Sequence, residues 1–196
     1  MDKIKLSIDL DDTIANTTDE WIKEASLKLN RKIGKDEIIE YDIDRVLGID
    51  KEYVKAAYAK VWAKANEIKL LDKNIPHIIA ELGNLFNIII VTASPGSEEH
   101  IINWLRSNDI YYDSLIKVRH SIDKAELGDR IGIPIFIDDS PKVAKPVLDK
   151  GKYMVMIGQP WNAKFIGENT SERLFPASDW VEAESTLKGI ANKLRL

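Results

Sequence analysis

Short hydrophobic runs of strand length recur along the chain, and most are followed by segments with helical periodicity. Strands and helices in alternation are typical of an α/β protein with a parallel sheet, so we predict a Rossmann-like core. A last helix is predicted from residue 178 or 179 to residue 194. Pro146 is expected to break the helix that follows Ser140 or to start a new one. The predicted strands are 4–8, 87–92, 115–118, 134–137 and 153–157.

A long helical stretch separates the first predicted strand from the second. Thr92 lies 83 residues after Asp9, whereas a crossover between parallel strands needs only about a dozen residues. We therefore expect residues 1–14 and 73–196 to form the core, and residues 15–72 to form an inserted helical cap. Helical spacing is predicted over 17–29, 36–46, 51–69 and 75–86.

Composition and charge narrow the class of protein. Hydrophobic residues make up 44% of the chain and charged residues 31%, which is typical of a soluble globular protein. The net charge of -4 argues against a nucleic-acid duplex as partner. The longest apolar runs fall far below the roughly 20 residues of a membrane span, so we expect no membrane segment. The N-terminal residues lack a signal-peptide pattern, and we expect a cytoplasmic protein.

Polar side chains gather at or just beyond the predicted carboxyl ends of the strands. Ligands of parallel sheets bind outside these ends, so the side chains should converge on one site. The chain has no cysteine, and any catalysis must therefore use oxygen or nitrogen groups. In chain order the residues are Asp9, Asp11, Thr92, Ser94, Lys124, Asp138 and Asp139.

This set of side chains indicates a metal and phosphate site. Carboxylates from two strands form a group of hard oxygen ligands that suits Mg²⁺ and a substrate phosphate. Thr92 would add a hydroxyl donor and Lys124 a fixed positive charge for phosphate oxygens. Taken singly, each residue has an ordinary structural explanation, since aspartates cap helices and lysines lie on surfaces. Their order and spacing together favour the functional interpretation.

In this order the residues resemble the motifs of the haloacid dehalogenase superfamily of phosphotransferases. The run Asp9-Leu10-Asp11-Asp12-Thr13 matches the first motif, D-x-D-x-[TV]. Thr92 matches the second motif, Lys124 the third, and the pair Asp138-Asp139 the acidic fourth. The inserted helices resemble the C1-type helical cap of the superfamily. The resemblance covers residues 4–141 and implies a Rossmann-like fold with that cap.

The resemblance also implies an activity and roles for four aspartates. It implies a phosphomonoesterase in which Asp9 is the nucleophile and Asp11 is the general acid and base. It implies Mg²⁺ held by the Asp9 carboxylate, the Asp11 backbone carbonyl and one of Asp138 and Asp139. Alignment with the fourth motif favours Asp139 as the direct ligand.

A narrower resemblance concerns the substrate. Residues 91–95 and the stretch from Asp123-Lys124 through 136–141 are similar to the 5′(3′)-deoxyribonucleotidase group, which implies a nucleoside monophosphate as substrate. The phosphate would then bind Thr92, Ala93 and Lys124.

Aromatic residues of the insertion and one serine are candidate substrate contacts. Trp62 or Tyr58 would stack on a nucleobase, and Ser94 would add a polar contact. Core packing is the alternative for both aromatic residues. Two alternatives also stay open for the whole chain: a phosphatase for another small metabolite such as a sugar phosphate, and a weakly catalytic phosphate-binding or regulatory protein. A homodimer is a further open alternative.

Overall fold

Six parallel strands form one sheet, and the computed structural model describes residues 3–195 of the chain. The order across the sheet is β3-β2-β1-β4-β5-β6, so β1 lies near the centre between β2 and β4. This confirms the predicted Rossmann-like α/β fold. The strands are β1 (Ile4–Ile8), β2 (Phe86–Thr92), β3 (Ser114–Lys117), β4 (Ile135–Asp138), β5 (Tyr153–Ile157) and β6 (Leu174–Ala177).

Helices cover both faces of this sheet. Ile88 and Ile90 of β2 belong to a hydrophobic core on one face, whereas Ile89 and Val91 belong to the core on the other. Burial on both faces explains the unbroken apolar run of this strand. The helices are α1 (Thr17–Leu29), α2 (Ile43–Leu47), α3 (Lys51–Ala63), α4 (Ile75–Leu82), α5 (Glu98–Ser107), α6 (Asp123–Ile131), α7 (Pro141–Asp149), α8 (Ala163–Glu168) and α9 (Trp180–Leu194).

The helices α1 to α3 lie between β1 and β2, as the long spacing predicts. Two linkers join them to the sheet, and these linkers pair with each other. The Asn16 amide donates to the Lys69 carbonyl at 2.8 Å, and the Leu71 amide donates to the Ile14 carbonyl at 2.8 Å. Both linkers therefore lie side by side close to the predicted boundaries, although the division into core and cap stays a prediction.

The region predicted as one helix over 36–46 is not continuous. A 3-10 turn at Lys35–Glu37 is followed by an extended stretch and then by the short helix α2. Ile38 and Ile43 are both buried, while Ile39 is 61% exposed. The burial of these two separate side chains holds the chain in two short pieces instead of one amphipathic helix. The helix predicted over 51–69 likewise ends at Ala63, and a 3-10 turn follows.

The expected break at Pro146 is wrong, because α7 continues through this residue. A proline inside a helix removes one backbone hydrogen bond and crowds the preceding turn. Here Val143, Ala144 and Val147 are fully buried against the sheet on one face of the helix. The free energy gained by burying these three side chains outweighs the loss of one backbone hydrogen bond.

The strand β6 is absent from the predicted set. It is short, lies at the edge of the sheet beside β5, and contains Pro176. A proline normally argues against a strand, but an edge strand can hold one without losing a bond to a neighbour. Within residues 3–195, no helix is long and apolar enough to cross a membrane.

Candidate active site

The predicted site residues meet at the carboxyl ends of β1 and β4. Asp9 follows the last residue of β1, and Asp138 ends β4. These strands are neighbours, and the Asp9 amide donates to the Ile137 carbonyl at 3.0 Å. Both carboxylates are almost fully buried. The topology thus brings together side chains that lie more than a hundred positions apart in the sequence.

Lys124 joins the two carboxylates. Its ammonium donates to Asp9 Oδ1 and, at 2.8 Å, to Asp138 Oδ2. Lys124 lies in the first turn of α6 and is 2% exposed. Burial alone would lower its pKa, but the charges of Asp138 and Asp9 outweigh this, and the pKa of Lys124 is raised. The ammonium therefore stays charged between two acids.

Three carboxylates form a compact group around this lysine. Oxygen atoms of Asp9, Asp138 and Asp139 all lie within 4.8 Å of one another. Burial, followed by repulsion from Asp138, raises the pKa of Asp9 and of Asp139 well above the usual value. One ammonium does not neutralise three buried carboxylates, so the group has both the oxygen ligands and the excess negative charge that a divalent cation requires.

Asp11 lies beside this group and has a different environment. It is partly buried, and its Oδ1 accepts a hydrogen bond of 2.8 Å from the indole Nε1 of Trp62. Burial raises the pKa of Asp11, and the bond from Trp62 is first among the contacts that lower it. Trp62 is fully buried at the end of α3. The base-stacking prediction for this residue stays a prediction, but its ring is covered.

Asp12 and Tyr58 form a network that fixes the start of α1. The Asp12 carboxylate accepts from the Thr18 amide at 2.9 Å and from the hydroxyls of Thr18 and Thr17 at 2.6 and 3.2 Å. Burial raises the pKa of Asp12 to about 6. The hydroxyls of Thr18 and Tyr58 are 2.8 Å apart, and the Tyr58 ring stacks on Trp21 at 5.7 Å. Tyr58 is thus part of the packing between α1 and α3.

The loop after β2 is closed by its own hydroxyls. Thr92 Oγ1 accepts from the Ser94 amide at 2.9 Å, and Ser94 Oγ accepts from the Gly96 amide at 3.3 Å. Thr92 and Ser94 are buried, while Ala93 between them is partly exposed. Each hydroxyl still has a hydrogen to donate. This loop contacts Asp11 through Ser94, whose hydroxyl is among the groups that lower the pKa of Asp11.

A fourth loop completes the site, and none of the four sequence motifs contains it. It follows β5, and it donates to the acidic loops at three points. Trp161 Nε1 donates to Asp139 Oδ2 at 2.7 Å, and Asn162 Nδ2 donates to the Asp139 carbonyl at 2.8 Å. Gln159 Nε2 donates to the Asp12 carbonyl at 3.0 Å. Gln159 lies two residues after the predicted strand 153–157. The rule that site residues follow strand ends could therefore have identified it from the sequence.

The insertion also reaches the site from the opposite side, at Tyr41. Burial, and next the charge of Asp139, raise the pKa of the Tyr41 phenol, so its hydroxyl stays protonated near the acids. Asp42 accepts a hydrogen bond from Lys142 of α7, and the Lys142 ammonium lies 5.5 Å from the centre of the Tyr41 ring. These contacts hold the segment before α2 against the core.

Solved structures with a similar fold identify the fold family of this chain. A haloacid dehalogenase-like hydrolase from Streptococcus pneumoniae superposes with a TM-score of 0.68 over 94% of this chain and 98% of its own, at 14% identity. A magnesium-bound haloacid dehalogenase hydrolase from Bacillus subtilis superposes with a TM-score of 0.59 over 96% of this chain and 100% of its own, at 15% identity. The chain has the fold of these haloacid dehalogenase-like hydrolases, which confirms the fold that the resemblance of its motifs implies.

A sequence relative adds a more particular similarity. A protein from Clostridium acetobutylicum that is named as a nucleotidase is 25% identical over 172 residues, which cover 86% of this chain and 88% of the relative. No model of a known protein family matches the chain.

Proposed function

We propose that the protein is a Mg²⁺-dependent phosphomonoesterase that forms a phosphorylated aspartate, with a nucleoside monophosphate as substrate. The observation that carries this proposal is the contact of Lys124 with both Asp9 and Asp138 inside a group of three buried carboxylates. Such a site places a carboxylate nucleophile beside positive charge at the edge where parallel sheets bind ligands.

The first step transfers the phosphoryl group to Asp9. A carboxylate oxygen of Asp9 attacks phosphorus, and the bond from phosphorus to the ester oxygen breaks. Asp11 gives its proton to the departing oxygen, which leaves as an alcohol. The Thr92 hydroxyl and the Lys124 ammonium donate to the phosphate oxygens and hold the group in line.

The second step releases phosphate. A water molecule attacks the phosphorus of the phosphorylated Asp9, and Asp11, now ionised, takes a proton from that water. The bond from phosphorus to Asp9 breaks, which restores the carboxylate and frees inorganic phosphate. Asp11 ends the cycle protonated, as it began.

Asp9, Asp139 and the Asp11 backbone carbonyl would hold the Mg²⁺ ion. When bound, the ion supplies positive charge that reduces repulsion between the Asp9 carboxylate and the phosphate. The preference for Asp139 over Asp138 has local support. Both Asp138 oxygens already accept hydrogen bonds of 2.8 Å, one from Lys124 and one from the Ser140 amide. Asp139 has one oxygen bonded to Trp161, which leaves the other for a metal.

The proposed nucleotide substrate rests on the nucleotidase relative and on the similar segments 91–95 and Asp123-Lys124 through 136–141. Within the site, Tyr41 and Ser94 are polar groups near the acids, and they would contact the substrate beyond its phosphate. The phenol of Tyr41 would donate to substrate oxygens, since it stays protonated.

Phosphate release from a panel of esters tests this function. The panel contains ribo- and deoxynucleoside 5′- and 3′-monophosphates and sugar phosphates, each assayed with Mg²⁺ and with EDTA. We expect metal-dependent release concentrated on nucleotides, which Asp9→Asn abolishes. Asp149→Asn is the matched control, because Asp149 is an exposed aspartate of α7 whose partner among residues 3–195 is the exposed Lys145.

Each other outcome changes a different part of the proposal. Release from sugar phosphates alone would contradict the substrate and leave the chemistry standing. Full activity of Asp9→Asn would contradict the covalent step. If no ester released phosphate, the binding or regulatory alternative would replace the enzymatic one.

A further inference from the structure

The indole of Trp62 makes a contact that base stacking does not explain. Its Nε1 lies 2.8 Å from Asp11 Oδ1, although the two residues are 51 positions apart and belong to different parts of the fold. Trp62 lies in the last turn of α3 in the insertion, while Asp11 lies in the loop after the central strand β1. The contact therefore links the insertion directly to the side chain proposed to move the proton.

The surroundings of Trp62 fix its ring in this position. A Cβ atom on Gly96 would lie 2.5 Å from Trp62 Cγ, so the loop after β2 makes room for the ring by having glycine there. Trp104 of α5 meets the ring edge-on, with ring centres 6.0 Å apart. The Trp104 indole is itself held by a bond of 3.0 Å to the Ile68 carbonyl. Trp62 is thus packed on all sides, and its one polar atom is directed at Asp11.

An indole N–H can donate a hydrogen bond but cannot accept one. Asp11 Oδ1 is consequently always an acceptor towards Trp62, whether Asp11 is ionised or protonated. Because the carbonyl oxygen of a carboxylic acid is its better acceptor, the bond at Oδ1 favours Oδ2 as the oxygen that carries the proton. The indole selects which carboxylate oxygen faces the reaction.

We propose that Trp62 is a positioning residue that orients Asp11 for proton transfer to the leaving oxygen, so that Oδ2 carries the proton. This inference rests on the proposed phosphomonoesterase function and deepens it. The contact of Trp62 with Asp11 depends on α3 being packed against the loop after β2, which makes the insertion part of the proton-transfer machinery.

The test compares two kinds of ester in the Trp62→Phe variant. Phenylalanine keeps an aromatic ring in the packed space and removes the N–H donor. The nucleoside of a nucleoside monophosphate is a poor leaving group and needs the proton to depart as an alcohol, whereas nitrophenyl phosphate releases a stable nitrophenolate without one. The quantity compared is kcat/KM, which reports the steps up to phosphoryl transfer and so includes departure of the leaving group.

We expect kcat/KM of Trp62→Phe to fall about 10- to 100-fold for the nucleotide, as for a misplaced reacting group. For nitrophenyl phosphate it should fall less than about threefold, because its departure needs no acid. Trp180→Phe is the matched control, since it also removes a buried indole N–H, one that donates to the Thr13 backbone carbonyl at 2.7 Å. This control should lower both values by less than about threefold.

An equal fall for both esters would make Trp62 merely structural and overturn the proposal, as would no fall for either. If Asp9→Asn were inactive while Trp62→Phe behaved like the wild type, the proposed function would stand and this inference would fail. If the wild-type protein hydrolysed no ester, the proposed function itself would fail, together with the role of Trp62 in it.

A second measurement tests the contact without any activity. In a ¹⁵N–¹H spectrum the indole resonance of Trp62 is assigned by its loss in Trp62→Phe. Replacing Asp11 with alanine should shift this resonance and leave that of Trp104 in place. A Trp62 resonance that does not move in Asp11→Ala would overturn the proposal.

Discussion

Trp161 donates its indole N–H to Asp139 Oδ2 at 2.7 Å and thereby fixes the carboxylate proposed as the direct metal ligand. The two residues belong to neighbouring loops at the carboxyl end of the sheet, after β5 and after β4. The bond leaves Asp139 one oxygen that faces the other acids. A hydrogen bond of this kind orients a ligand before the metal arrives.

The first prediction follows from this bond. We expect Trp161→Phe to weaken Mg²⁺ binding about tenfold, because Asp139 loses the donor that orients it. Titration calorimetry with Mg²⁺ measures the affinity directly, without substrate. Trp104→Phe is the control and should bind Mg²⁺ like the wild type. Equal affinities of Trp161→Phe and the wild type would contradict a metal-binding role for Asp139.

A second prediction concerns the buried lysine. Lys124→Met leaves Asp9 and Asp138 buried without their cation, and we expect the free energy of unfolding in EDTA to fall by about 3 kcal/mol. Urea denaturation measures this quantity. The control is Lys145→Met, which removes a lysine that is 71% exposed and should change stability by less than about 1 kcal/mol. If the free energy of unfolding fell equally in both variants, Lys124 would stabilise the fold no more than an exposed lysine does.

A third prediction concerns the space beside Trp62. Gly96→Ala places a methyl group where the Trp62 ring lies, and we expect the free energy of unfolding to fall by about 1–3 kcal/mol. The control is Gly189→Ala in the exposed face of α9, where a Cβ meets nothing within 4 Å. Alanine is the better helix former, so the control should gain roughly 0.5–1 kcal/mol. A neutral Gly96→Ala would mean that the ring moves aside without loss.

A fourth prediction concerns pH and the ion pair between the insertion and α7. The hydrogen bond from Lys142 is the main cause that lowers the pKa of Asp42 in the folded state. Since the folded value lies below the unfolded value of about 3.9, the pair contributes stability above that pH and loses it as the pH falls through the folded value.

Asp42→Asn should therefore lower the free energy of unfolding by up to about 1 kcal/mol at pH 7, a small effect because both side chains are partly exposed. The difference from the wild type should shrink below about pH 4. Urea denaturation at several pH values measures it, and a cycle with Lys142→Gln isolates the pair. A difference that grows as the pH falls would contradict this account.

The central residues of the site could be predicted because they obey a positional rule. Asp9, Thr92 and Asp138 each end a hydrophobic run, and parallel strands bring such ends to one edge. Lys124 could be identified only in combination with them. The local sequence shows which polar residues end a strand. The alternation of strands and helices predicts the parallel sheet that brings these ends together.

The contacts that orient these residues could not be predicted in the same way. Trp62 and Asp11 meet because α3 folds back over the sheet, and no spacing in the sequence encodes that distance. The pieces between α1 and α3 were predicted as one helix because their hydrophobic positions fit a helical period. Burial of Ile38 and Ile43 decides the outcome instead. Tertiary packing overrides local preference at these points.

The paired linkers at Asn16 and Leu71 have a consequence for how such a protein can diversify. Because both ends of the inserted helices meet at one point, the helices can be exchanged for another set with the same end spacing, while the sheet and its acids keep their places. Such a graft would have to bring its own partners for Asp11 and Lys142. Exchange at this junction would change which molecules the site accepts and keep the chemistry that it performs.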